Sequence, residues 1–445
     1  MLDCCLMGRF GRLLLIGALA IAVACTDANV PDVGGPATVV VAGPSITAGS
    51  SSTTALARDT AEPASTTWSP RSFTMAFTGD FLLHNRVNAA AASNASDDGS
   101  RDYDYEPLLA ALEPLLAEVD WAVCHMEVSL SSDNTRLSPF PVFRAPGDIA
   151  RDARRIGYDF CTTASNHVLD HGPEGAAETL EVLDGAGLGH TGSARSAGEA
   201  FDGIWIDLGG VRVAHLSYSY GFNGFTIPGD MPWLTNLIEE ERILSDASRA
   251  RREGADYVVL SLHWGEQYVH APNRQQRELG PQLLASPDVD LIIGHHAHVV
   301  QPIDRIDGEW LVYGLGNLLS AQADQARRDE LLVEVEVSEQ ADGTFSTDLR
   351  AVPLFVDGTT LVVHRSNPQT RPLDIDPTLD AQLDASWSRV VEVLGVLWLS
   401  CPLGPTRCDR PGRASGRESP PHLGRGDQPG AGSAMASSPS PSTPF

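Results

Sequence analysis

The chain has 445 residues, 42% of them apolar, enough for two domains or for one large α/β domain with tails. A formal net charge of −27 and a pI near 4.7 exclude nucleic acid and anionic lipid as primary partners. All 31 basic residues are arginines.

Residues 1–25 read as an export signal. Arg9 and Arg12 form a basic flank, residues 13–23 a short apolar run, and Ala22-Val23-Ala24 a small-residue exit before Cys25. The run is too short for a stable membrane span. Cys25 directly after Ala24 resembles the bacterial lipoprotein cleavage site, which implies a lipid anchor at Cys25 and a place on the extracellular face of the cell membrane. A secreted protein with an unmodified Cys25 is the plainer alternative. Residues 26–71, rich in Ser, Thr, Pro and Gly, bury too little to offset ordering entropy and form a flexible linker.

From 72 to 365 strand and helix signals alternate. Strands are expected over 73–78, 121–127, 160–164, 211–217, 257–262, 291–293, 310–313 and 331–337, and helices over 106–118, 149–156, 173–186, 236–253 and 274–285. This alternation predicts an α/β domain with helices outside the sheet. The last strands have no long helices between them and predict an antiparallel part. Residues 366–398 read as a helical extension, with a helix over 385–398. Residues 399–445 read as a disordered Pro/Gly/Arg-rich tail, whose abrupt composition is also what a shifted reading frame would produce. The seven cysteines do not form a disulfide framework. Cys4 and Cys5 leave with the signal, Cys401 and Cys408 lie in the tail, and Cys124 and Cys161 fit small buried hydrophobes in apolar strands.

Five polar clusters close apolar runs. They are Thr78-Gly79-Asp80, His125-Met126-Glu127, Ala164-Ser165-Asn166-His167 (continuing to Asp170-His171-Gly172), His263-Trp264-Gly265-Glu266 and Gly294-His295-His296-Ala297-His298. Sites in open α/β sheets form at the carboxyl ends of strands, so all five are expected to converge on one crevice. Asp80, Glu127 and Asn166 then offer oxygen, and His263, His296 and His298 offer nitrogen. That mixture suits manganese, iron or zinc better than calcium or magnesium, and a two-metal site needs about this many ligands. His296 and His298 point the same way if the backbone stays extended, with His295 facing away or supporting them. His84, His190, His215 and His270 lack this strand-end context and read as structural. Each candidate also has a plain alternative: a turn or cap for Asp80, an ion pair with Arg144 for Glu127, turn chemistry for Asn166-His167, a satisfied core imidazole for His263.

In order along the chain, Phe77-Thr-Gly-Asp80, the Glu127 segment, Ala164-Ser-Asn-His-Val-Leu-Asp-His-Gly172, His263-Trp-Gly-Glu-Gln-Tyr268, Gly294-His-His-Ala-His-Val-Val-Gln-Pro302 and Tyr313-Gly-Leu-Gly-Asn317 resemble the CapA family. These are capsule and poly-γ-glutamate synthesis proteins, distant relatives of calcineurin-like metallophosphatases. The resemblance covers about 73–365. It implies a four-layer α/β/β/α metallophosphoesterase-like sandwich with one or two divalent ions (Mn, Zn or Fe) at the strand ends. By that likeness Asp80, Asn166, His263, His296 and His298 are metal ligands, and Glu127 stands where phosphatases carry a bridging Asp. His167, oriented by Asp170, is the acid near the leaving group. The chain departs from the metallophosphatase Asp-x-His opening, since Leu82 stands two residues after Asp80 and the nearest histidine is His84.

Two functions follow. The first is a cell-surface protein for synthesis or export of a capsule or poly-γ-glutamate type anionic polymer, partnered with the polymer or a membrane-bound synthase. The alternative is an active metal-dependent phosphoesterase or other hydrolase. An anionic polymer calls for a locally basic groove on this acidic chain, for which Arg86, Arg144 and Arg274 are the candidates.

Overall fold

The structure, a computed structural model, describes residues 69–395 apart from 97, 98, 100 and 373. The export signal, Cys25, the linker up to residue 68 and the tail beyond 395 lie outside the described residues. The strands are β1 (Ser72–Phe81), β2 (Trp121–Met126), β3 (Ser129–Ser131), β4 (Arg144–Pro146), β5 (Phe160–Thr162), β6 (Gly189–Thr191), β7 (Trp205–Leu208) and β8 (Val211–Ser219), then β9 (Tyr257–His263), β10 (Leu291–His295), β11 (Ile303–Ile306), β12 (Glu309–Val312), β13 (Asp329–Glu339), β14 (Phe345–Val356) and β15 (Val363–Arg365). The α-helices are α1 (Asn85–Asn94), α2 (Glu106–Leu109), α3 (Glu113–Leu116), α4 (Asp148–Ile156), α5 (Gly172–Ala186), α6 (Glu199–Asp202), α7 (Glu240–Arg252), α8 (Arg274–Leu284) and α9 (Pro377–Leu394).

Two large sheets carry the fold. One has the order β15-β14-β13-β1-β2-β5-β6, the other β11-β12-β10-β9-β8-β7. Their central strands are parallel: β1-β2-β5-β6 in the first and β12-β10-β9-β8 in the second. The antiparallel part is β13–β15 together with the edge strands β11 and β7.

Side-chain alternation builds the layers. Met75 and Phe77 of β1, Val123 of β2, Val259 of β9 and Leu291 and Ile293 of β10 share one core between the sheets. Their alternates face outward. Ala76 and Cys124 pack with Val87 of α1, Ile149 and Ala153 of α4 and Leu180 and Leu183 of α5. Val258, Leu260 and Ile292 pack with Ile243 and Ala247 of α7 and Leu279 and Leu283 of α8. Strands buried on both faces read as unbroken apolar runs, and the result is the α/β/β/α sandwich.

Four local expectations need correction. The helix expected over 106–118 is two single turns, because Pro114 has no N–H to donate and its ring crowds the carbonyl of Ala110. The helix expected from 236 begins at Glu240, since Asn236–Ile238 is drawn out beside Ser219 by two backbone hydrogen bonds. The helix expected over 385–398 starts eight residues earlier, at Pro377 behind the Asp376 cap, and its described part ends at Leu394. Finally, Cys124 and Cys161 are not separate apolar fillers. Parallel pairing of β2 with β5 sets them opposite each other, with Cα atoms 4.5 Å apart, and they form a disulfide. Sequence spacing carries no trace of that register.

Candidate metal centre

Asp80 is the next-to-last residue of strand β1 and is fully buried. Its Oδ2 accepts from the backbone N–H of His296 at 3.1 Å and lies 3.1 Å from Nδ1 of His298. Its Oδ1 faces Nδ1 of His295 at 3.3 Å, without hydrogen-bond alignment. One carboxylate therefore ties the end of the first sheet to the His295–His298 turn of the second.

Glu127, directly after β2, is fully buried, with Oε1 3.8 Å from Nε2 of His263 and 3.7 Å from Nε2 of His298. Nε2 of His263 lies 2.8 Å from Oδ1 of Asn166. Nδ1 of His263 meets Nε2 of His125 at 2.9 Å, and Nδ1 of His125 meets the hydroxyl of Thr162 at 2.8 Å. His125 and Thr162 thus fix the ring that faces Glu127, the usual way an imidazole ligand is oriented from behind. Asn317 does the same for His298, its Oδ1 lying 2.9 Å from Nδ1.

The histidine turn is not extended. His296 and His298 both hold left-handed backbone, with φ of 84° and 53°. They reach the crevice through that backbone rather than through strand alternation, a conformation non-glycine residues adopt rarely and mostly where function demands it. His295 does not face away: it sits beside Asp80 and stacks on His125 with ring centroids 4.0 Å apart. Sequence reasoning missed His125 as well. Its signal was present, since His125 and Glu127 are two apart and share a side of the strand end.

The six expected ligands, Asp80, Glu127, Asn166, His263, His296 and His298, stand together with His125 and His295. Donor atoms within 4.8 Å of one another form two groups, Asp80-His125-His295 and Glu127-His296-His298. Oδ1 of Asp80, both oxygens of Glu127 and Nδ1 of His295 and His296 are buried with no hydrogen-bond partner. Buried polar atoms are nearly always paired, so a cluster of orphaned carboxylate and imidazole atoms fits a divalent cation. Donors held tetrahedrally by one ion at about 2.1 Å lie about 3.4 Å apart, close to the Glu127–His263 and Glu127–His298 separations.

His167 and Asp170 stand at the rim. Nδ1 of His167 is 2.7 Å from Oδ2 of Asp170, which also accepts from the backbone N–H of Phe143. This anchor engages Nδ1 and not Nε2 of His167, whose ring stands edge-on to Phe143 with centroids 4.8 Å apart. Glu127 has no arginine: Arg144 pairs with Glu178 instead. Arg86 is spent on the carbonyl of Gly358, and Arg274 opens α8. The guanidinium at the rim is Arg327, 3.6 Å over the ring of Tyr268, which in turn lies 5.8 Å from the His298 ring. Of the histidines read as structural, His215 meets Ser261 in the core between the sheets, His190 meets Asp184, and His270 meets the carbonyl of Val300. His84 accepts from the N–H of Ala321, close to His298 and His167. Glu330, hidden in the apolar run of β13, accepts from the N–H of Gly79 under the Asp80 turn.

Burial and neighbours set the charges. Burial pushes the Asp80 carboxyl up, but the His295 and His298 rings more than offset this and hold it well below its ordinary value. Burial raises Glu127 to about 7, against the pull of His298. Burial disfavours charge on His298 too, but Glu127 and Asp80 lift it to about 9. His84 falls to about 4 and His215 and His296 to about 3, while His125 and His263 fall well below their ordinary value, burial being the main cause in every case.

These shifts fix how the metal-free chain responds to pH. The five depressed histidines favour folding when neutral; their contribution is full above 6.5 and is lost as pH falls. The raised Glu127 contributes fully below 4.5 and loses it as pH climbs through 7; the raised His298 contributes below 6.5 and loses it through 9. Among the described residues His171, His190 and His364 are depressed as well, and these eight imidazoles outnumber the six raised carboxyls Glu127, Asp152, Asp290, Glu309, Asp329 and Glu330. Thermal melting in chelator from pH 4 to 9 is expected to show a maximum near pH 6.5–7 with the steeper fall on the acid side. A flat profile contradicts this charge assignment.

Residues 74–322 match the family model described as bacterial capsule synthesis protein PGA_cap. The capsule biosynthesis protein CapA of Bacillus anthracis is 27% identical over 255 residues, covering 55% of this chain and 59% of that protein. The PGA biosynthesis protein CapA of Bacillus subtilis (strain 168) is 24% identical over 283 residues, covering 63% of this chain and 71% of the relative. This chain therefore spans about three fifths of the first relative's length. Among solved structures, the calcineurin-like phosphoesterase YfkN from Bacillus subtilis is 13% identical with a TM-score of 0.40, covering 73% of this chain and 99% of that one. Haemophilus influenzae NAD nucleotidase is 11% identical with a TM-score of 0.39, covering 73% of this chain and 57% of that one.

Proposed function

The chain belongs to the bacterial capsule synthesis protein PGA_cap family, and from that premise we propose that it serves the synthesis or export of an anionic capsule or poly-γ-glutamate type polymer through a divalent-metal centre. The observation that carries the metal is Glu127, a fully buried carboxylate with both oxygens unpaired and Oε1 facing His263 and His298. In this reading Asp80, Glu127, Asn166, His263, His296 and His298 hold the metal, with manganese, zinc or iron the best match to mixed nitrogen and oxygen donors. Glu127, whose Oε1 faces both His263 and His298, would be the shared ligand if two ions bind. Such ions, when bound, supply polarisation of a substrate oxygen and a water acidic enough to attack near neutral pH.

The chain's own groups supply the rest. Asp170 grips His167 by Nδ1, which leaves Nε2 to deliver a proton to a leaving group. That dyad is the observation favouring the second reading, an active phosphoesterase or other hydrolase at the cell surface. Arg327, held against Tyr268, gives the rim a positive group that suits an anionic chain. Placement outside the cell, by a lipid on Cys25 or by secretion, belongs to the same proposal and rests on residues 1–25. No helix among the described residues is long and apolar enough to cross a membrane.

Metal analysis of the purified chain, with His296→Ala beside it, tests both readings. About two equivalents of manganese or zinc are expected in the parent and fewer in the variant. A strain lacking the chain is expected to lose surface polymer, with recovery on the parent gene and not on His296→Ala. Full recovery with the variant overturns the role of the metal in polymer synthesis. Turnover of a generic phosphodiester by the parent but not the variant, with surface polymer unchanged in the deletion, selects the hydrolase.

A further inference from the structure

The segment between β8 and α7 reaches back over the strand ends. Tyr220 donates its backbone N–H to the carbonyl of His263, and its ring lies 4.4 Å from that of His296. Phe222 is buried against Val168 and Leu169, beside the turn that carries His167. Between these two anchors and the glycine at 224 sits Asn223. It is exposed, and its backbone is left-handed with φ of 50°, a conformation asparagine tolerates better than most residues.

The side chain of Asn223 touches two members of the site at once. Its Oδ1 accepts from Nδ2 of Asn166 at 3.1 Å, and its Nδ2 lies 3.3 Å from Nδ1 of His167. The contact with Asn166 matters most. An asparagine can bind a cation only through its carbonyl oxygen, and a half-turn of the amide would aim an N–H donor at the same place. Oδ1 of Asn166 points to Nε2 of His263, so the donor end must be occupied on the far side, and Asn223 is what occupies it.

We propose that Asn223 is a positioning residue of the metal centre: it holds the Asn166 amide with its oxygen turned inward. This inference rests on the metal-centre reading above. The segment at 220–224 lies outside every strand-end motif, and its role depends on hydrogen bonding behind a ligand, a kind of support whose loss lowers metal affinity or activity about 10–100-fold.

The test uses the full chain titrated with Mn2+ and followed by calorimetry and by the manganese electron paramagnetic resonance signal. Asn223→Gly removes the side chain while keeping the left-handed backbone unstrained. Asn223→Asp keeps an oxygen facing Nδ2 of Asn166 and tolerates the same backbone. Asn166→Ala marks full loss of the ligand. Asn223→Gly is expected to weaken Mn2+ binding about 10–100-fold with an unchanged melting temperature in chelator, and Asn223→Asp to recover most of it. Unchanged binding in Asn223→Gly, where Asn166→Ala does lose affinity, overturns this inference alone. An aspartate variant that falls as far as the glycine variant overturns it too, because the acceptor is then not what matters. Failure of the parent to bind Mn2+, or full binding by Asn166→Ala, removes the metal-centre reading itself.

Discussion

Glu127→Gln is expected to abolish the metal-induced rise in melting temperature while leaving the metal-free chain at least as stable as the parent. The two effects have one cause. In the parent the carboxylate lies fully buried with no hydrogen bond to either oxygen, and burial pushes it up to about 7. Above that pH the metal-free fold carries a buried charge with no hydrogen bond, opposed by the His298 ring and more weakly by His167. Glutamine keeps the shape and removes the charge, and stranded buried groups of this kind cost about 1–3 kcal/mol each. With metal the balance reverses. On the metal-centre reading, a neutral amide next to His263 and His298 would be a poor replacement for a charged ligand, and its loss should exceed the roughly 10–100-fold typical of groups that only support a ligand. Melting curves at pH 8 with chelator and with excess Mn2+ read both effects. A variant that is still stabilised by metal as strongly as the parent refutes the central place given to Glu127.

Gly294→Ala is expected to prevent folding, or to lower the melting temperature by about 10 °C, without touching a single ligand. A Cβ at 294 would stand 1.9 Å from the carbonyl oxygen of Tyr313 and 2.7 Å from the indole nitrogen of Trp264. Side chains in an overpacked core can shift for about 1–3 kcal/mol. Here the obstacle is the main chain of Tyr313, pinned because Gly294 O accepts from the N–H of Leu315 and Tyr313 O accepts from Trp264 and Gln276. Relief requires parting the strands that carry the histidine turn, which places the loss at about 4 kcal/mol or more. Gly185→Ala is the control. It lies exposed near the end of α5 with nothing within 4 Å of the new Cβ, and a gain of about 0.5 kcal/mol is expected from helix propensity. Urea unfolding of both variants measures the contrast. A Gly294→Ala chain as stable as the parent contradicts the close approach of these strands.

Much of this site was legible because the apolar runs end abruptly. Phe77 before Asp80, Leu262 before His263 and Ile293 before the histidine turn mark buried strands that end in polar, metal-capable residues, and the recurrence of that pattern at several strand ends outweighs the plain reading of each residue taken singly. The helices were legible where apolar spacing and capping agreed, as in α8, which opens on the reciprocal Asn273–Gln276 cap. Strand β14 was not read at all, because its first half, Phe345-Ser-Thr-Asp-Leu-Arg350, is polar and partly exposed along the edge region of its sheet. His125 and His295 were passed over for a different reason. Their partners, His263 and Asp80, lie far away along the chain and meet them only after two sheets close face to face.

The sequence by itself determined the alternation of strands and helices, the residues at the strand ends and the chemistry those residues can offer, since each depends on the chain only over a few positions. Tertiary structure alone decided which ends meet and how. The parallel register of β2 and β5 joined Cys124 to Cys161, and the close passage of Tyr313 demanded a glycine at 294. Left-handed backbone at His296 and His298, rather than the extended backbone on which the two would point the same way, carries both rings to the site, and a segment from beyond β8 brought Asn223 behind Asn166. Those facts depend on contacts between separate segments of the chain or on backbone angles set by packing, and neither is written in local pattern or composition.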